Sequence, residues 1–212
     1  MRKVRNFRLH VSSRAVARRL KMAGHLPDLS PTSLHRVEEV VPAIAAAALP
    51  SVIYATVTPE ELAGVVLLAE LPSQIVAATL VVVTLGEGFD RRLVTMLESD
   101  QAALARSVAE ETLEEASRWV TRLVADEARR EDARLSAWLP VAPQGGLSDV
   151  LPLEAIGVTR RPDGTIAPRY TAFGVLPWLL YGCDRSLLQG LGRTQPAMVV
   201  TLGANVANAV LV

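Results

Sequence analysis

Apolar side chains recur at spacings of three and four through the first fifty positions, then give way to unbroken apolar runs. The spacing of Val16, Leu20 and Ala23 predicts a helix capped by Ser12 or Ser13, running to Met22 and ended by Gly24. Ser30 followed by Pro31 marks a second helix, through Leu34, Val37, Val41 and Ile44 to Leu49. Pro42 should kink it and Pro50 stop it. Ser51–Thr58 (SVIYATVT) is rich in β-branched residues and reads as a strand, as do Ala63–Ala69 and Thr79–Leu85. A short helix over Phe89–Leu97 and a long one from about Asp100 to Arg130 come next.

Farther on, Pro140, Pro143, Gly145, Gly146, Pro152, Gly157, Pro162 and Gly164 cut the chain into pieces that suit strands and turns. Asp163-Gly164 reads as a hairpin turn, and Ala197–Val212 as a buried strand. Helices and strands without a βαβ rhythm predict an α+β fold. No repeat or linker divides the chain, so residues 1–212 read as a single domain. Its parts are N-terminal helices over 12–49, a sheet and long helix over 51–130, and a strand- and turn-rich part over 131–212.

Composition narrows the function. With 50% hydrophobic residues and 22 basic against 22 acidic side chains, the chain lacks the signature of disorder. The balanced charge argues against nucleic acid as a partner. The single cysteine, Cys183, excludes a disulfide framework and reads as a small buried apolar residue. A mean hydropathy of +0.28 raises the question of a membrane span. Such a span needs about 20 unbroken apolar residues. The best stretch, Leu62–Leu85, is cut by Glu70, Pro72 and Gln74, so no membrane partner is expected. The first 25 residues carry basic side chains and no acidic one. They lack an apolar secretory core and read as a solvated helix face, which makes a cytoplasmic protein the expectation.

Searches for local chemistry mostly fail. There is no phosphate-cradling P-loop, and His10, His25 and His35 do not share a helix face, so no metal site is expected. Gly86-Glu87-Gly88 resembles the start of a dinucleotide fingerprint, but without its third glycine it reads as a strand-to-helix turn. The long helix is more informative. At about 100° per residue, Leu104, Val108, Leu113, Ala116, Trp119, Val120 and Leu123 form an apolar arc, with Glu110 and Glu114 opposite. Glu115 falls on the arc at about 20° from Leu104, where a carboxylate needs a donor. Two readings stay open: it reaches out to Arg122, or it faces a ligand. A general acid or base at Glu115 would be one version of the latter.

Taken in order, several segments resemble the activation domain of vitamin B12-dependent methionine synthase and its free-standing relatives. Ala15–Gly24 (AVARRLKMAG) is similar to the family's opening helix, and Leu49–Ala55 (LPSVIYA) to the segment after its next helix. Ala77–Arg91 (AATLVVVTLGEGFDR) is similar to its Ala-x-Thr-Leu-Gly strand and following helix. Leu153–Val158 (LEAIGV) and Ile166–Gly174 (IAPRYTAFG) are similar to its Ile-Gly-Val turn and Pro-x-x-Ser strand. The resemblance covers roughly residues 8–178.

The resemblance implies a twisted antiparallel sheet flanked by helices, with S-adenosylmethionine bound beside a cobalamin carried by a partner. That partner would be a corrinoid-binding protein or methyltransferase subunit. A flavodoxin-like protein would supply the electron for reductive reactivation, a step that maintains methionine biosynthesis. The family's Arg-x-Ser-Pro-Gly-Tyr segment, which grips the methyl donor, corresponds here to Arg134-Leu135-Ser136-Ala137-Trp138-Leu139. Arg134, Ser136 and Trp138 are then the expected ligand-binding residues. Glu115, or failing that Glu111, would be the helix acid for the ligand's ammonium. The change from Pro-Gly-Tyr to Ala-Trp-Leu implies an alternative: a non-catalytic module that caps or binds a corrinoid protein and has lost the donor site. Cys183 alone also denies the chain the cysteine cluster of some relatives.

Overall fold

The computed structural model describes residues 1–63, 75–97, 101–142 and 147–180. An edge strand, β1 (Arg2–Arg5), opens the chain, followed by α1 (Ser13–Met22) and α2 (Pro31–Ala45). Strand β2 (Ser51–Val57), the short α3 (Pro59–Ala63) and β3 (Ile75–Thr84) lead to α4 (Glu87–Leu97) and the 29-residue α5 (Ala102–Arg130). Beyond lie β4 (Ala133–Leu135), β5 (Leu139–Pro140), α6 (Leu147–Val150) and a 3-10 turn at Leu153–Ile156. The hairpin β6 (Thr159–Arg160) and β7 (Ile166–Ala167) precedes the long β8 (Thr171–Leu180).

The fold is α+β, with an antiparallel sheet flanked by helices, as expected. Its order is β1-β2-β3-β8-β4, with β5 also on the outer edge of β8. Alternation along the central strands feeds two cores. Val52, Tyr54, Val81, Val83, Leu176 and Trp178 face α1, α2, α4 and α5. Ile53, Leu80, Val82, Phe173 and Val175 face Leu147 and Leu151 of the α6 region and Ile156 of the 3-10 turn. Burial on both faces explains why these strands read as continuous apolar runs and not as alternating ones.

Local signals account for much of the N-terminal half. Ser12 caps α1 through the backbone N–H of Ala15, and Gly24 closes it at φ 76°. Ser30 caps α2, and Pro31 occupies its first turn. Gly86 turns β3 into α4 at φ 86°, where a side chain would also meet the Leu49 carbonyl at 3.2 Å. The strand-to-helix reading of Gly86-Glu87-Gly88 therefore describes what this segment does.

Other boundaries differ from the expectation. Strand β1 lies where a solvated helix face was expected; three basic residues on four positions hide an edge strand whose charges discourage further pairing. Helix α2 stops at Ala45, four residues early, and β3 begins four residues early. Ala63, the expected start of a strand, closes α3, and the rest of that strand (64–69) lies outside the described residues. The Ala197–Val212 strand and Cys183 also lie outside them. Among the described residues no helix is long and apolar enough to cross a membrane.

The buried stripe of α5 shares Val108, Ala116 and Val120 with the arc read off the sequence, but its other members are smaller than that arc expected. It runs through Ala105, Val108, Ala109, Thr112, Ala116, Val120, Val124 and Ala128, mostly small side chains four residues apart. Small residues let the helix axis approach its neighbours closely. Trp119 and Leu123 are pushed to the flank, where Trp119 stacks on Phe7 with ring centroids 4.1 Å apart.

Candidate functional site

The expected ligand acids sit on α5 where α1 crosses it, and arginines surround them. Glu111 is buried, with 7% of its side chain exposed. One of its oxygens accepts from Arg19 of α1 at 3.1 Å, the other from Arg118 at 2.7 Å. Glu115, with 19% exposed, accepts from Arg118 at 3.0 Å and from Arg122 at 2.9 Å. Glu114 joins Arg19 at 2.6 Å and Arg118 at 3.0 Å, while Glu110 reaches Arg19 at 3.4 Å. The result is a ladder: Arg19, Glu111, Arg118, Glu115, Arg122. Glu115 makes the contact with Arg122 that one of its two readings expected.

Burial works against the charge on Arg19, but its hydrogen bonds to Glu111 and Glu114 outweigh this and raise its pKa. Arg118 behaves alike, raised by Glu111 and Glu115 against its own desolvation. Arg19 was absent from the sequence-based expectation. Helix α1 has no acidic residue in its first turn and Arg19 and Lys21 in its last, and α5 carries Glu110, Glu111, Glu114 and Glu115 in one stretch. That charge contrast was the available signal, and part of it is consumed inside the molecule.

The second expected cluster lies elsewhere. Arg134 is on β4, paired with Leu179 of β8, and its side chain is exposed. The Ser136 backbone N–H donates to the Pro177 carbonyl at 2.8 Å. Trp138, half-buried, sits against Gly174, where a built Cβ would fall 2.2 Å from the indole Cε2. These three residues share the outer edge of β8. From Glu115 to Arg130, just before β4, the helix rises about 22 Å. The structure thus gathers Arg134, Ser136 and Trp138 along one edge and leaves Glu111 and Glu115 well up α5.

S-adenosylmethionine, which the resemblance implies, does not fit these residues as they stand. Its ammonium would compete with two arginines at either acid. The indole also takes the room beside the strand where the family's pattern has glycine and a close backbone approach. Among the described residues no group of three His, Cys, Asp or Glu side chains is placed to hold a metal ion.

Among the described residues, two cavities outside those clusters stand out. One, of about 450 Å³, is lined by Met1, Arg2, Tyr54, Thr56, Glu127, Arg130 and Trp178. There the Tyr54 hydroxyl donates to Glu127 at 2.8 Å, and Arg2 pairs with the same carboxylate. Burial first, then the bond to Glu127, holds the Tyr54 pKa above its ordinary value. The Trp178 indole N–H donates to Thr79 at 2.8 Å, which fixes the ring in the wall. The other cavity, of about 570 Å³, lies between the start of α4, the β6–β7 hairpin and Pro168–Tyr170. Three family-like segments, GEGFDR, LEAIGV and IAPRYTAFG, meet there. Neither a family model nor a curated protein matches the sequence.

Proposed function

We propose that this chain is a docking module for a corrinoid-carrying protein of the methionine synthase type. In this reading it serves reductive reactivation of the partner's cobalamin without itself holding the methyl donor. The resemblance supports the corrinoid partner: its segments run in family order through α1, β2, β3–α4, the 3-10 turn and β7–β8. The observation that carries the choice against the donor role is Trp138 lying in the space beside Gly174. The arginine ladder on Glu111 and Glu115 points the same way.

In this reading the protein contributes surface and electrostatics, while the partner's cofactor supplies the chemistry. Electrons would still come from a flavodoxin-like donor, and the methyl group from S-adenosylmethionine bound elsewhere. Gel filtration and titration calorimetry with a cobalamin-loaded corrinoid domain of methionine synthase provide the test. Co-elution together with no heat from S-adenosylmethionine, alone or with the partner, is the expected result. Failure to associate with the loaded domain overturns the proposal. Binding of S-adenosylmethionine that is lost in Arg134→Ala restores the donor role instead.

A further inference from the structure

We propose that the cavity between α4 and the β6–β7 hairpin binds a small molecule with an oxyanion head, phosphate or carboxylate, on an apolar body. At about 570 Å³ it falls in the range of small-molecule sites. Leu93, Val94, Ala167, Pro168 and the Tyr170 ring give it an apolar lining. Leu93 is buried, and Phe89, also buried, meets Tyr170 edge-on at 5.9 Å, so this wall belongs to the core.

Its charged groups are unbalanced. Arg91, Arg161 and Arg169 line the cavity against Glu87 and Asp90. The Asp90 carboxylate is turned onto the backbone N–H groups of Arg169 and Tyr170, which pins that wall to α4. Glu87 reaches Arg91 only at 4.0 Å, with both side chains about three-quarters exposed. Among the described residues no carboxylate lies within ion-pair distance of Arg161 or Arg169. Arg169 instead sits 5.9 Å from the Tyr170 ring. Guanidinium groups present forked N–H donors that match an oxyanion, and like charges beside an apolar wall raise the local potential for one.

The hairpin that carries Arg161 is itself braced. Asp163 accepts from the Thr165 backbone and hydroxyl, and the Arg161 N–H donates to the Thr165 carbonyl at 2.8 Å. The lining therefore rests on fixed elements, and a bound anion would meet two guanidinium groups that hold no carboxylate within ion-pair distance among the described residues.

Titration calorimetry on the full chain with phenyl phosphate, benzoate, inorganic phosphate and neutral benzyl alcohol tests the site without any corrinoid partner. Its outcome is thus separate from that of the docking proposal. One of the two aromatic anions should bind at least about tenfold more tightly than both benzyl alcohol and inorganic phosphate. Which one binds identifies the head group. Arg161→Ala combined with Arg169→Ala, both at exposed positions, should abolish that preference while leaving the circular dichroism spectrum unchanged. Amide shifts should localise to Gly157, Val94 and Arg169. Equal binding of anionic and neutral probes, no binding at about 10 mM, or binding indifferent to the double substitution overturns the inference. Shifts confined to another face overturn it as well.

Discussion

A Cβ built on Gly174 would fall 2.2 Å from Cε2 of Trp138, so the indole fills the space that a side chain at this point of β8 would take. The pairing follows from local geometry. β4 pairs with the far end of β8 through Leu180, Leu179 and Trp178, and β5 with Val175 and Gly174. Ser136–Trp138 must cross between these two stretches, and Trp138 lands over the glycine. Gly174→Ala should therefore destabilise the fold by about 1–3 kcal/mol, the usual cost of overpacking. Trp138→Ala alone loses packing but removes the obstacle. Adding Gly174→Ala to Trp138→Ala should then cost little, giving a coupling energy of about 1 kcal/mol or more in a double-mutant cycle. Additive costs by chemical denaturation would mean that the two residues are not in register.

The ladder on α5 contains two glutamates with similar partners and very different surroundings. Glu111 has 7% of its side chain exposed and Glu114 has 50%, although each is bonded to Arg19 and Arg118. Removing Glu111 takes away the least solvated carboxylate of the ladder, although Arg19 keeps Glu110 and Glu114 and Arg118 keeps Glu114 and Glu115, whereas an exposed pair is worth little in water. Glu111→Gln should cost about 2–3 kcal/mol, with part of the buried-pair penalty relieved because both arginines remain partly solvated. Glu114→Gln should cost less than about 1 kcal/mol and lose most of that in high salt. Urea denaturation at low and high salt separates the two. Equal effects would show that burial does not set the scale here.

The elements with paired start and stop signals were legible in the sequence. Helix α1 has Ser12 and Gly24 at its ends, and β2 has a β-branched run after Pro50. Strand β1 was not, because Arg2-Lys3-Val4-Arg5 offers one apolar side chain and gains its place only by pairing with Ser51–Tyr54. The site residues show the same division. The angle of Glu115 on α5 placed a carboxylate on the apolar arc and offered Arg122, a contact within one helix, as one of its two readings. The contact of Arg19 with Glu110, Glu111 and Glu114 spans more than ninety positions. Helical periodicity shows which face is buried but not which helix lies against it, so that contact stayed out of reach.

Gly86 joins β3 to α4 with φ 86°, a region that side chains rarely adopt, and a Cβ there would press on the Leu49 carbonyl at 3.2 Å. The neighbouring Leu49 N–H donates to the Leu85 carbonyl at 3.0 Å, so the strain would spread to the end of β3. Gly86→Ala should cost about 1–3 kcal/mol. Gly88 sits within α4 and has open space around it, so Gly88→Ala should be neutral or stabilise by up to about 1 kcal/mol. Thermal melts of the two variants make the comparison. A melt of Gly86→Ala matching the parent would remove the turn from the determinants of the fold.

Tyr54 links pH to stability. Its hydroxyl, in a residue only 3% exposed, donates to Glu127, which also holds Arg2. Burial and the neighbouring carboxylate both oppose a phenolate, while Arg2 favours one, and the balance raises the folded pKa above the ordinary 10.0. The unfolded chain, lacking these neighbours, releases the proton first as pH rises. Stability contributed by the neutral hydroxyl is therefore complete below about pH 10 and is lost as pH climbs through the raised folded value. Tyr170, also raised, chiefly by burial, adds to the same alkaline loss. Tyr54→Phe should lower stability at neutral pH by about 1 kcal/mol, because Glu127 loses a donor, yet flatten the decline above pH 10. Denaturation midpoints at pH 8 and pH 11 for both chains measure this, and an unchanged alkaline slope in Tyr54→Phe would assign the loss to other groups.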